Sequence, residues 1–179
     1  MNRLTPKQID FINAQPMFFV STAAAEGRVN VSPKGMDTLR VLDERRVVWL
    51  NLSGSGNETA AHVMANGRMT LMFMSIAEDP LILRIYGTAR TVHPRDRDWD
   101  ELTALFPKMG GSRQVFDLSI DSTATSCGSG VPTMTVDSVR GDDALEPFYA
   151  AMSPEELHDY WARKNVTSID GYPTQIFAD

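Results

Sequence analysis

The segment that decides the fold reads Val47-Val48-Trp49-Leu50-Asn51-Leu52-Ser53-Gly54-Ser55-Gly56-Asn57-Glu58-Thr59. Its first six residues are typical of a buried β-strand, and the glycine- and serine-rich residues that follow predict a tight loop. Ser55 and Glu58 have the spacing of a capping box, which predicts that a helix begins at Ser55. The segment therefore predicts a strand, a short loop and the N-terminus of a helix, in that order.

This helix N-terminus is a candidate anion site. The N–H groups of a first helical turn have no partner within the helix, and the positive end of the helix dipole lies there. Gly54 and Gly56 let the backbone approach a ligand, while Ser53, Ser55 and Thr59 add hydroxyl groups. The loop has neither the third glycine of a dinucleotide-binding fingerprint nor the lysine of a P-loop. It indicates a phosphate, although the same composition also fits a flexible turn with a good helix cap.

Outward from this segment, alternating apolar residues and turn signals predict a strand-rich chain. Short turns join most neighbouring strands, so we expect a mainly β (α+β) fold built on an antiparallel barrel of about six strands with few helices. Helices are expected at 55–66, 94–106 and 153–165, the last with a capping box at Ser153 and Glu156. The predicted strands are Met17–Ala23, Val29–Pro33, Thr38–Leu42, Arg46–Leu52, Arg68–Ser75, Leu81–Val92 and Val115–Thr125.

Length and composition limit the class of protein. The 179 residues fit one domain, 1–179, with a helical and loop tail from about 141, and 42% hydrophobic residues are typical of a globular protein. A net charge of −6 argues against nucleic acid or an anionic membrane as a partner. The single cysteine, Cys127, excludes an internal disulfide and is expected to be a buried structural thiol rather than a nucleophile. We see neither a signal sequence nor a membrane-spanning run, so a cytoplasmic location is expected.

Strand alternation indicates which cations accompany the loop. Asn30, Ser32 and Lys34 share one face of their strand, and Arg84 lies on the polar face of another. Lys34 and Arg84 are thus candidates to meet the Ser53–Thr59 loop, although both faces also fit simple exposure to solvent. Trp49 fits the core and a ligand-stacking position equally well.

Other catalytic signals are weak. The three histidines lack metal-ligand spacing, the acidic residues form no obvious catalytic pair, and we predict no metal site. No catalytic residue is assigned. A phosphate cradle with almost no acid–base equipment favours a bound cofactor that carries its own chemistry.

The chain resembles the pyridoxamine 5′-phosphate oxidase-like family of flavin-binding split barrels, and within it a branch related to the oxidase but without a defined reaction. The resembling segments follow one another along nearly the whole chain. They are Val29–Thr38, Trp49–Thr59, Arg68–Phe73, Leu81–Gly87, Thr125–Gly128 with Gly130–Pro132, and Lys164–Asn165 with Ser168–Gly171.

The resemblance implies a six-stranded antiparallel split β-barrel that forms a homodimer with FMN at the subunit interface. It also implies which positions surround the flavin, in three groups. Residues on the strand that lines the flavin and reaches its phosphate are Ser32, Pro33 and Lys34; those beside the ring are Trp49, Leu50 and Asn51. The phosphate loop comprises Ser55, Gly56, Asn57, Glu58 and Thr59, and Arg84 falls near the pyrimidine edge.

Two departures from the oxidase pattern bear on function. Asn57, Glu58 and Thr59 stand where the oxidase carries a Ser-Arg-Lys turn, so Lys34 and backbone N–H groups must do more of the phosphate binding. The C-terminal segment 168–179 also lacks the Arg-x-His element that grips the pyridoxal substrate. We therefore expect an FMN-dependent oxidoreductase of another substrate. The alternatives are a flavin-binding module without turnover, for storage or sensing, and the same fold with a deazaflavin or haem.

Overall fold

The computed structural model describes residues 3–177, and its centre is one curled antiparallel sheet of seven strands in the order β2-β1-β5-β6-β7-β4-β3. The sheet is a split barrel with flanking helices, which confirms the predicted fold class with one strand more than the six expected. All the predicted strands form, with small shifts at their ends. They are β1 Met17–Thr22, β2 Asn30–Gly35, β3 Leu39–Asp43, β4 Arg46–Leu52, β5 Arg68–Met74, β6 Ile82–Val92 and β7 Ser112–Ser126.

Both predicted hairpins are present. Strand β1 pairs with β2 from Met17↔Gly35 to Thr22↔Asn30, and β3 pairs with β4 around Val41↔Val47. The long strand β7 joins the two halves of the sheet, because it pairs with β6 on one side and β4 on the other. Strands β2 and β3 remain as the two free edges of the sheet.

The helices surround the sheet and agree with the sequence only in part. Residues 141–145 form a π-helical turn, and the predicted capping box of α5 is present, since Ser153 Oγ accepts from Glu156 N and the Glu156 carboxylate accepts from Ser153 N. Helix α2 begins at Glu58 rather than Ser55, and the helix predicted at 94–106 shrinks to α3. The helices are α1 Pro6–Ala14, α2 Glu58–Asn66, α3 Trp99–Thr103, α4 Glu146–Ala150 and α5 Pro154–Lys164. Across residues 3–177, none of them has the length and apolarity that a membrane crossing requires.

Strand β4 is buried on both faces, which explains its continuous apolar sequence. Val47 and Trp49 face the main core inside the curled sheet, where Leu71 and Ile85 also lie. On the opposite face, Val48 and its neighbours pack beneath α3 in a second, smaller core. This double burial fixes the end of β4, and with it the start of the loop that follows.

Cys127 is exposed, so the prediction of a buried thiol is wrong. It follows directly after β7, whose last three residues, Ala124–Ser126, are already exposed. The end of β7 therefore extends beyond the part of the strand that the cores cover.

Candidate functional site

A cleft of about 230 Å³ opens where the end of β4, the loop after it and the start of α2 meet strand β2. It gathers most of the positions predicted around the cofactor. Those that line it are Ser32, Lys34, Asn51, Ser55, Gly56, Asn57, Glu58 and Thr59, together with Asn30, Leu52, Ser53, Gly54 and Arg113.

Four predicted positions lie elsewhere. Trp49 and Leu50 are buried in the two cores, and Pro33 lines a different, larger cavity. Arg84 is not brought to the cleft, because it lies toward the opposite end of β6 and donates to Ser126 Oγ at 3.0 Å. Its register partner on β7 is Ala124, eleven residues and about 35 Å of extended strand beyond Arg113.

The loop is held by the segment that contains α5 and the residues after it. Trp161 Nε1 donates to Ser53 Oγ at 2.8 Å, and Ser53 Oγ donates to the Gly111 carbonyl at 2.7 Å. Asn165 is fully buried; its Nδ2 donates to the Gly54 carbonyl at 2.9 Å, and its own carbonyl accepts from Asn57 Nδ2 at 3.2 Å. These bonds satisfy polar groups that the loop buries, so the loop is shaped before any ligand binds.

The predicted capping box at Ser55 does not form. Within the described chain, the N-cap of α2 is Asn57, and no side chain accepts from the first-turn N–H groups. The Glu58 carboxylate instead accepts from Ile169 N at 2.9 and 3.1 Å. A contact with the chain's own C-terminal segment therefore holds the one acidic side chain of the cleft and leaves the helix N-terminus open to an anion.

Two cations line the cleft. Lys34 lies with its Nζ 5.3 Å from the ring centroid of Trp49, in a cation–π contact. Burial, and then the charge of Arg113, lower the pKa of Lys34 to about 8. Burial also lowers the pKa of Arg113 to about 10, and its guanidinium donates to the Gly56 carbonyl at 3.0 Å. Both pKa values are lowered because burial removes water from the charged groups. A bound anion would stabilise the charged forms.

Orphaned polar atoms also surround the cleft. Among residues 3–177, Arg113 Nε and Gln114 Nε2 are buried donors without a partner. The Thr59 hydroxyl accepts from Asn30 Nδ2 at 3.3 Å, which leaves its own hydrogen free to donate. This donor set of ammonium, guanidinium, hydroxyl and backbone N–H fits a phosphate, the group that the phosphate end of FMN presents.

Arg113 is the functional residue that sequence reasoning missed. It lies at the start of a run, Arg113–Leu118, in which every residue is buried. A buried arginine needs a partner or a ligand, because burying its charge alone is unfavourable. The sequence did not show this burial, because the predicted strand begins at Val115 and leaves Arg113 outside it.

Comparisons with known proteins agree with this architecture. A family model described as pyridoxamine 5′-phosphate oxidase matches residues 4–127. The chain belongs to this family. It is 34% identical over 183 residues to the pyridoxamine 5′-phosphate oxidase family protein ustO of Aspergillus flavus, which covers 92% of this chain and 72% of that protein.

Solved structures share the fold of this family member at lower identity. One is a putative pyridoxamine 5′-phosphate oxidase from Lactobacillus delbrueckii, with a TM-score of 0.58 and 21% identity over 69% of this chain and 95% of that one. Another is HupZ of Group A Streptococcus, with a TM-score of 0.56 and 19% identity over 74% of this chain and 99% of that one. These likenesses establish the split barrel.

Proposed function

We propose that the cleft binds the phosphate of FMN and that the chain is an FMN-dependent oxidoreductase. The observation that carries the proposal is that two cations, the half-buried Lys34 and the buried Arg113, line the same cleft as the uncapped N-terminus of α2. Membership of the pyridoxamine 5′-phosphate oxidase family supports the proposal that this phosphate is part of a flavin.

The residues of the chain have separate tasks in this proposal. Lys34 and Arg113 neutralise the phosphate, and the α2 backbone donates to it. Asn51 Nδ2 donates to Gln114 Oε1 at 3.0 Å, which fixes two buried amides beside the loop. When bound, FMN supplies hydride chemistry, so the protein has only to position the cofactor and exclude water.

We further propose that the substrate is not pyridoxamine 5′-phosphate. The resemblance implies that an Arg-x-His element grips that substrate, whereas segment 168–177 contains no arginine or histidine. Its contacts are directed inward: Ile169 N bonds Glu58, and Thr174 Oγ1 donates to the Asn165 carbonyl at 2.6 Å. The segment closes the loop rather than offering a cationic site.

A flavin-binding module without turnover is the second candidate. One observation favours it: the only carboxylate of the cleft, Glu58, is already bonded to Ile169, and no histidine or cysteine lines the described cleft. A deazaflavin would use the same phosphate cradle. Haem would need an iron ligand, and this cleft offers no histidine for that role.

The first prediction concerns the phosphate. Lys34→Ala should weaken FMN binding by about 1–3 kcal/mol, the scale of a charge-assisted hydrogen bond, and Thr59→Val should cost less because backbone donors remain. Riboflavin, which lacks the phosphate, should bind far more weakly than FMN and respond little to Lys34→Ala. Quenching of flavin fluorescence on titration measures both affinities.

Arg84→Ala is the matched control, since it removes a cation of β6 that lies outside the cleft. It should leave FMN affinity unchanged. Equal losses of FMN and riboflavin in Lys34→Ala would place Lys34 beside the flavin ring, and a protein that refuses FMN altogether would refute the proposal.

The second prediction separates enzyme from binding module. The FMN-loaded protein should consume reduced nicotinamide steadily in air, yet show no useful oxidation of pyridoxamine or pyridoxine 5′-phosphate, because positioning of a second phosphate is missing. Anaerobic mixing, followed by flavin absorbance, tests each reductant. Rapid bleaching by either vitamer would contradict the substrate proposal, and a flavin that none of the reductants bleaches would favour the module.

A further inference from the structure

A second cavity, of about 780 Å³, adjoins the cleft at the C-terminal end of strand β2. Its walls come from Pro33–Met36, from Pro16 and Met17, and from the segment 134–149. Lys34 lines both spaces, so the cavity adjoins the cleft through this one side chain. The volume falls within the range of about 300–1,000 Å³ that is usual for small-molecule sites.

The walls are mainly apolar and rich in methionine and aromatic side chains. Met17, Met36 and Met134 line the cavity together with Phe148 and Tyr149. Methionine sulfur makes favourable contacts with ring edges and adapts to irregular shapes, so such walls suit a ligand that contains an aromatic ring. Phe148 is 55% exposed and belongs to a group of exposed apolar side chains of the same segment that line the cavity, the kind of patch that marks a binding site.

The cavity is also built rather than incidental. Met36 has a φ of +60°, a backbone conformation that is costly for a residue other than glycine and that clusters at functional sites. Its side chain packs so closely on Gly141 that any Cβ at that position would clash with the Met36 sulfur. Tyr149 is fixed by its hydroxyl, which bonds the Tyr160 hydroxyl at 3.3 Å.

The charged side chains that line the cavity are both cationic. Lys34 and Arg140 line it, and within the described residues no aspartate or glutamate does, although Asp142 and Glu146 line the adjoining cavity. Arg140 makes no ion pair with any residue in the range 3–177. The cavity therefore matches a ligand with an apolar body and an anionic group.

Most of the lining lies beyond the part of the chain that the family model matches. That match ends at residue 127, whereas Met134, Val136, Arg140 and Phe148 all follow it. The part of the chain that the family model matches therefore supplies the cleft, and the segment 134–149, which follows it, supplies most of the cavity wall.

We propose that this cavity is the substrate site and that it takes an aromatic monoanion, such as an aromatic carboxylate, with its anionic group toward Arg140. As a substrate site the cavity rests on the proposed function, since Lys34 places it beside the FMN cleft. As a binding site it stands by itself and is tested separately.

The test uses two probes with the same ring system, anilinonaphthalene sulfonate and the uncharged phenylnaphthylamine. Calorimetric titration of the full chain, with and without FMN, should show one sulfonate per chain in both forms. Arg140→Met should lower sulfonate affinity about two- to fivefold, the effect of one exposed charge, and leave phenylnaphthylamine unchanged. Phe148→Asp should lower both affinities about tenfold or more, because it places a charge in the apolar wall.

Arg97→Met and Val166→Asp are the matched controls, because both residues are exposed and neither lines the cavity. They should bind both probes as the unchanged chain does. Circular dichroism on heating confirms that each variant is folded before titration. Losses in the controls equal to those in Arg140→Met and Phe148→Asp would overturn the assignment.

The outcomes separate this inference from the proposed function. FMN binding without stoichiometric probe binding overturns the cavity alone, whereas probe binding without FMN binding supports the cavity and contradicts the flavin proposal. A second copy of the chain is the competing occupant. In that case the sulfonate does not bind and Phe148→Asp lowers the molecular mass measured by light scattering, which would overturn the inference.

Discussion

Lys34 and Arg113 share one cleft, and the cost of burying their charges determines how the site responds to pH. Burial and the nearby Arg113 charge lower the pKa of Lys34 to about 8, so the ammonium loses its proton far more readily than a solvated lysine. Arg113, with its pKa lowered to about 10, keeps its charge throughout the neutral range. In the unfolded chain the Lys34 pKa returns to 10.5, so between about pH 8 and 10.5 this lysine makes the free energy of unfolding rise with pH.

The third prediction is a pH dependence of FMN binding. The phosphate favours the protonated form of Lys34, so above about pH 8 binding must also take up a proton. FMN affinity should be nearly constant from about pH 7 to 8 and then fall by up to about tenfold per pH unit, or 1.36 kcal/mol. Fluorescence titration at a series of pH values between about 7 and 9.5 measures the slope.

Riboflavin is the matched ligand and Lys34→Ala the matched protein for this experiment. Both should give a flat profile over the same range, because each lacks one member of the charge pair. A slope that persists in Lys34→Ala would assign the proton to another group and contradict this role of Lys34.

Single residues were predictable where local pattern decides their position. The parity of β2 correctly placed Asn30, Ser32 and Lys34 on one face, because side chains alternate along any strand. Arg84 was misplaced, since parity gives the face of a strand but not how far along it a residue lies. Trp49, which the sequence left open between core and ligand, is fully buried in the main core.

At the scale of elements, the two capping boxes had opposite outcomes for a physical reason. Ser153 and Glu156 are free of other partners and bond each other's backbone, as their spacing predicts. Glu58 has the same spacing from Ser55, but Ile169 N, 111 residues away, takes its carboxylate. A contact of that range leaves no trace in a local pattern.

The helix predicted at 94–106 fails in its first half for a similar reason. Asp96 accepts from His93 N at 2.7 Å and so favours a turn, and the Arg95 guanidinium reaches the carbonyls of Gln175 and Ile176. The periodic residues Trp99 and Leu102 correctly marked the half that remains helical. Strands were easier to predict, because alternation, or a continuous apolar run as in β4, reflects the burial of a strand within the sheet.

At the scale of the whole molecule, one edge of the split barrel is suited to contact with another chain. Strand β2 forms this edge, and its cleft-facing side is polar while Val29 and Val31 on the other side are 67% and 60% exposed. One row of paired residues crosses four strands and comprises Val31, Ser21, Thr70 and Tyr86. The two larger side chains, Val31 and Tyr86, lie at its ends, with the two small polar ones between them. Edge strands with exposed apolar residues are pairing surfaces unless they are covered.

The fourth prediction is that this face is covered by a second copy of the chain. The chain should therefore elute with twice the mass of one polypeptide in size-exclusion chromatography with light scattering. Val31→Asp should give a monomer, because a stable interface buries about 800 Å² per partner and tolerates no unpaired charge near its centre. Val166→Asp, an equal change at an exposed valine outside the strands of the sheet, should remain a dimer. If FMN lies at the subunit interface, the Val31→Asp monomer should also lose FMN affinity, although Val31 lies on the face opposite Lys34.

Two outcomes would contradict this prediction. A Val31→Asp protein that stays dimeric would exclude this face as the interface. A monomeric one that binds FMN normally would place the whole cofactor site within one chain.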